Sequence, residues 1–124
     1  MADNISAAGD AMNGGAASEV PGAALERRAK LFRGLSDRSR LLILDALCAE
    51  NLTVGEIVER TGLSQPNVSN HLRCLSECSL VACEREGRFA RYQVSDRRVA
   101  ELLGRADALL DAVATGVESC QNYR

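Results

Sequence analysis

The sequence predicts a mainly α-helical chain with one small β-hairpin. Three observations predict it. Apolar residues recur at three- and four-residue spacing over most of the 124 residues. The period switches to two in one short stretch, "LVACEREGRFARYQVS". The chain has two Phe, two Tyr and no Trp, so its core must be Leu, Val, Ile and Ala, which suits helices packed on helices.

Residues 1–20 are mostly Ala, Gly, Ser, Asn and Asp, too poor in large apolar side chains to fix themselves, and are read as a disordered arm. They lack the basic start and apolar run of a secretory signal. Pro21 suits a helix entry. A first helix is expected over Ala23 to Leu35, with Leu31, Phe32 and Leu35 at helical spacing. Ser36 or Asp37 can cap a second, Arg38 to Ala49, apolar nearly all round and therefore central. Thr53 with Glu56 forms a capping box for a short third helix, which Gly62 ends. Ser64 caps a fourth, with Pro66 in its first turn and Val68, Leu72 and Leu75 inward. "EG" then turns a hairpin. From Asp96 the helical period returns through Val99, Leu102, Leu103, Ala106, Leu109, Leu110, Val113 and Val117. Such a stripe on a terminal helix needs a partner, and a second copy would cover it. The expected layout is an arm over 1–20, a dimerising domain over 21–118 and a tail over 119–124.

The formal net charge of −2 argues weakly against nucleic acid, but its distribution does not. Seven arginines lie between Arg60 and Arg98, and much of the acidic charge lies in the flanks. Two short helices joined by a tight turn describe a helix-turn-helix. The second presents Ser64, Gln65, Asn67, Ser69, Asn70, His71 and Arg73, side chains able to reach base edges or phosphates. Arg85, Arg88 and Arg91 follow on the hairpin, a wing able to lie along the DNA backbone or minor groove. Helix-turn-helix, basic hairpin and long apolar helix, in that order, give a winged helix-turn-helix dimer formed through the N- and C-terminal helices.

Residues 24–117 resemble the ArsR/SmtB family of metal-sensing repressors. The resemblance is carried by "LFRGLSDRSRLLILDAL", "TVGEIVERTGLSQPNVSNHLRCL", "SLVACEREGRFARYQVSD" and the terminal helix. It implies a homodimer on a palindromic operator, released when a metal ion binds; no enzymatic activity is expected. No Cys-x-x-Cys and no βαβ pattern points to a thiol enzyme either.

Five cysteines, an odd number in a chain expected in the reducing cytoplasm, are not a disulfide framework. Cys74 and Cys78 stand four apart and share one helix face. Two thiolates can hold one soft ion at about 2.3 Å or slightly more each, but a third ligand must come from elsewhere. Cys48 ends an apolar helix and reads as a small core residue. Cys83 alternates with Val81 and reads as strand packing. Cys120 lies in a polar tail with no packing reason, and is read as the third ligand. The chain resembles in particular the CmtR-type branch of cadmium and lead sensors, through "CLSEC" and a cysteine beyond the last helix. That resemblance implies a three-sulfur site of Cys74, Cys78 and Cys120, the last supplied by the other protomer. Cadmium and lead are the expected ions, with zinc, mercury and trivalent arsenic as further candidates, and a thiol redox sensor as the alternative. A Cys-x-Cys pair on this helix is absent, and His71 is the sole histidine. These absences disfavour His-rich zinc or nickel sensing.

Overall fold

The structure is a computed structural model and describes residues 21–122. The expected arm over residues 1–20 lies outside the described residues. The chain divides into two units, residues 1–36 and 37–124.

In the first unit, α1 spans Pro21–Leu35, starting two residues before the expected Ala23. Pro21 occupies the first helical position, where its missing N–H costs no intrahelical bond. Arg33 sits in the last turn, where a cation complements the helix dipole. The Ser36 hydroxyl donates to Arg33 O at 2.9 Å and closes the end. Leu25 and Phe32 are exposed.

In the second unit, α2 spans Arg38–Ala49 and is capped by Asp37, whose carboxylate accepts the Arg40 N–H at 3.0 Å. Ile43, Leu44 and Leu47 are buried. The helix is central, as its all-round apolarity predicts. It touches α3 (Val54–Thr61), α4 (Gln65–Glu77), strand β2 (Phe89–Val94) and the terminal α5 (Arg97–Ser119).

The helix-turn-helix is built from local chemistry. The Thr53 hydroxyl accepts the Glu56 N–H at 3.2 Å, and the Glu56 carboxylate accepts the Thr53 N–H at 2.9 Å, a closed capping box. Gly62 ends α3 at φ 76, left-handed backbone that glycine enters without a Cβ clash. Ser64 caps α4 by accepting the Asn67 N–H. Val68, Leu72 and Leu75 then point inward at four- and three-residue spacing, all 2% exposed or less.

The end of α4 is a Schellman turn. Leu80 N–H reaches Leu75 O and Ser79 N–H reaches Ser76 O, both at 2.9 Å. Ser79, not glycine, holds the left-handed position, at φ 64. Strands β1 (Val81–Glu86) and β2 pair antiparallel from Val81↔Val94 to Glu86↔Phe89. The two residues between them are Gly87 and Arg88, with Gly87 at φ 64. The turn therefore sits one residue later than "EG" suggests, because Glu86 still pairs. Leu52 adds a one-residue third strand: its N–H and C=O both bond Tyr92, at 3.0 and 2.7 Å.

Asp96 caps α5, accepting the Arg98 N–H at 2.8 Å. This helix is covered only along its first part. Val99 is buried, and Leu102 and Leu103 are half-buried. Leu109, Leu110, Val113 and Val117, further along the same stripe, are exposed.

Candidate nucleic-acid interface and thiol pair

With Val68, Leu72 and Leu75 turned inward, α4 exposes Gln65, Ser69, Asn70 and Arg73. Arg73 Nη2 donates to Asn70 Oδ1 at 2.8 Å, which lines up an amide and a guanidinium on the open face. Ser64 is exposed, but its hydroxyl oxygen is engaged as the helix cap. Asn67 is half-buried. His71 is half-buried too, its Nε2 3.9 Å from Asp37 Oδ1, so it faces the start of α2. The Asp37 carboxyl is held below its ordinary value, first by the Arg40 N–H.

On the hairpin, Arg85 and Arg88 are exposed and have no ion pair among the described residues. Arg91 differs. Its Nε donates to Glu86 Oε1 at 2.6 Å and its Nη1 to Glu56 Oε1 at 3.1 Å. Sequence reasoning grouped the three arginines together and missed both carboxylates. Glu56 was already visible as a capping residue, but nothing local shows that its oxygen has a second donor 35 residues away.

The thiols separate into distinct environments, and all five are free. Cys74 is half-buried and Cys78 exposed, on one face of α4 and at its end. The Cys78 N–H donates to Cys74 O at 3.0 Å, so the two side chains stand one helical turn apart on that face. The Cys78 thiol is pushed above its ordinary value, by desolvation at the helix end first and by Cys74 next, while Arg40 pulls the other way. Cys120 is half-buried at the end of α5, its N–H donating to Val117 O at 3.2 Å. It is thus the C-cap of the helix, which runs through Ser119. Among the described residues no three His, Cys, Asp or Glu side chains gather closely enough to hold an ion. One chain brings Cys74 to Cys78 and does not bring Cys120 to them.

Two expectations change. Cys83 is exposed rather than packed, opposite Tyr92 on the hairpin. It does share a face with Val81, but that face is covered only at the strand's base. Cys48 is half-buried at the edge of the core, its thiol pushed up by burial first and by Asp45 second.

A polar helix presented by a tight turn, followed by a hairpin with two uncommitted arginines, defines a winged helix-turn-helix regulator of transcription. No helix among the described residues is long and apolar enough to cross a membrane. Residues 37–82 match the model of the bacterial regulatory proteins of the arsR family. The chain is 40% identical over 105 residues to a probable mercury resistance operon repressor of Streptomyces lividans, covering 85% of this chain and 84% of that one. It is similar to the solution structure of a homodimeric winged helix-turn-helix DNA-binding domain from Mycobacterium bovis. There the TM-score is 0.69 and the identity 30%, over 76% of this chain and 87% of that one. It is also similar to the NMR structure of the cadmium sensor CmtR from Mycobacterium tuberculosis. There the TM-score is 0.56 and the identity 43%, over 62% of this chain and 80% of that one.

The chain belongs to the ArsR family of DNA-binding transcriptional regulators, which is not a family of enzymes. Its family identity supports a metal-responsive repressor of the ArsR/SmtB type.

Proposed function

We propose that two copies of this chain bind operator DNA and release it on capturing one soft metal ion per site, with Cys74 and Cys78 of one copy and Cys120 of the other as ligands. The observation that carries the reading is the placement of Cys74 and Cys78 one helical turn apart on one face at the end of α4, where the Cys78 N–H donates to Cys74 O at 3.0 Å. Two thiols one turn apart on one helix face can serve the same thiophilic ion. Cys120 does not join them within one chain, so a second copy is its source in this reading.

Two further facts support a dimer. The distal stripe of α5 leaves four large apolar side chains in water, a surface that a second copy would cover. The similar Mycobacterium bovis domain is homodimeric. Cadmium and lead are the ions we favour; mercury, zinc and trivalent arsenic compete for the same donors. The names of the similar proteins mention cadmium and mercury, both thiophilic.

In the metal-free dimer the two α4 helices, with Gln65, Ser69, Asn70 and Arg73, meet successive major grooves about one helical turn apart. Arg85 and Arg88 meet the backbone beside them. The ion ties the end of α4 to the other chain's terminus and so favours a helix spacing that fits the operator less well. A tenfold loss of DNA affinity requires a difference of only about 1.4 kcal/mol between the two states.

The test is a titration with Cd(II), Pb(II) and Hg(II), read by sulfur-to-metal charge-transfer absorption and by DNA affinity. Unchanged DNA affinity at saturating metal rejects the sensing role. A mixed dimer decides the ligand set. Cys120→Ser protomers and Cys74→Ser/Cys78→Ser protomers should each lose the three-sulfur spectrum alone and recover it when mixed. No recovery on mixing rejects the shared site. A DNA response to oxidant but not to metal would favour a redox switch instead.

A further inference from the structure

The wing is fastened to the start of α3 by a cluster of side chains whose role the DNA-facing residues do not explain. Tyr92 exchanges two backbone hydrogen bonds with Leu52. Next to it, Asn51 Nδ2 donates to Gln93 Oε1 at 3.0 Å. Arg91 completes the join. Its Nη1 reaches Glu56 Oε1 at 3.1 Å and Asn51 O at 3.4 Å, and its Nε reaches Glu86 Oε1 at 2.6 Å. The same Glu56 oxygen accepts the Thr53 N–H that begins α3. One guanidinium therefore links the helix-turn-helix, the Leu52 bridge and the far end of β1.

We infer that Arg91 is a positioning residue of the wing: held by Glu56 and Glu86, it fixes the hairpin against α3 and so sets where Arg85 and Arg88 meet DNA. The inference rests on the DNA-binding reading above. With its Nε and Nη1 donors engaged and its charge offset by two carboxylates, the guanidinium suits a brace better than a phosphate contact. Lysine cannot replace it, because a single ammonium does not reproduce a planar fork with separate donors for two partners.

Charge alone and the brace make opposite predictions. The probe is a duplex selected by the wild-type protein from a random pool, and affinity is measured against salt. Arg85→Gln and Arg88→Gln should each weaken binding and reduce the salt slope by about 1. Arg91→Gln and Arg91→Lys should both weaken binding about fivefold, the upper worth of an exposed ion-pair network, with the slope unchanged. Glu56→Gln keeps the capping box, since glutamine serves there as well. It removes a negative charge, which by electrostatics alone would tighten DNA binding. The brace requires it to weaken binding, and the Arg91→Gln/Glu56→Gln double variant to be no worse than either single one. Tighter binding by Glu56→Gln overturns the inference. So does wild-type affinity in Arg91→Lys with a reduced slope in Arg91→Gln.

If the wild type selects no duplex, the DNA-binding reading fails, and the brace is then judged without DNA. Amide exchange at Leu52 and Tyr92 should speed up in Arg91→Gln while the amides of α2 keep their protection. Unchanged exchange at those two amides overturns the brace.

Discussion

Two left-handed residues frame α4, and they should respond to substitution with opposite signs. Gly62 stands before α4 at φ 76 and Ser79 after it at φ 64. An added Cβ at Gly62 meets no atom within 4 Å, so Gly62→Ala makes no clash with a neighbour and its cost is conformational. Left-handed backbone costs an L-residue about 1–2 kcal/mol, and the loss of unfolded-chain freedom on replacing glycine returns about 0.4–1. The net is about 1 kcal/mol of destabilisation, or a fall of about 4–8 °C in Tm for a domain of this size. In a symmetric dimer the free energy and the unfolding entropy both double, so the shift is the same. Ser79 is exposed and already bears that strain, so Ser79→Gly should raise Tm by a few degrees. Calorimetry at one fixed protein concentration reads both, because the Tm of a dimer depends on concentration. Gly62→Asn should fall between glycine and alanine, since asparagine tolerates this region better. An unchanged or higher Tm for Gly62→Ala would refute the argument, as would a loss of stability in Ser79→Gly.

Three further outcomes follow from the same structure. Leu72 is 2% exposed beneath α4, and Leu72→Ala should cost about 2–5 kcal/mol by denaturant unfolding. The Asp96 carboxyl is lowered to about 2, by the Arg98 side chain first and the Arg98 N–H next. A depressed carboxylate stabilises the fold above its unfolded value of 3.8 and loses that contribution as pH falls toward 2. Asp96→Asn, which still caps, should therefore flatten the Tm–pH curve between about 4 and 2 and leave its shape near neutrality unchanged. Leu110→Glu with Val113→Glu should yield a folded monomer by sedimentation with native circular dichroism, and a persistent dimer would remove α5 from the proposed interface.

What was legible in the sequence was local. Asp37, Thr53–Glu56, Gly62 and Ser64 each close a helix end within four residues of themselves, and each stands where its chemistry predicts. The alternation of the wing was legible too, but alternation assigns residues to faces and does not say how far a face is covered. Cys83 was misplaced for that reason. The ion pairs of Arg91 were not legible because its partners come from a capping residue on α3 and from the opposite strand. His71 sits on a helix whose polar side looked uniformly open, and only the packing of α4 on α2 turns it toward Asp37. The shared helix face of Cys74 and Cys78 was legible from helical spacing, whereas the ligand role proposed for Cys120 requires a second chain, which local pattern does not describe.

The Leu52 bridge has a consequence for self-association. By occupying Tyr92 it closes part of the outer side of β2, leaving β1 as the open border of the small sheet. In the antiparallel ladder the backbone groups of Cys83 and Arg85 point away from β2, since Tyr92, opposite Cys83, spends its own on Leu52. An open border of this kind invites another strand, and fibrous growth with it. Here it is short, and it runs through Glu84, Arg85 and Glu86, three successive charges that would have to be stripped of water for a foreign strand to dock. The wing can therefore stand out into solvent without seeding aggregation.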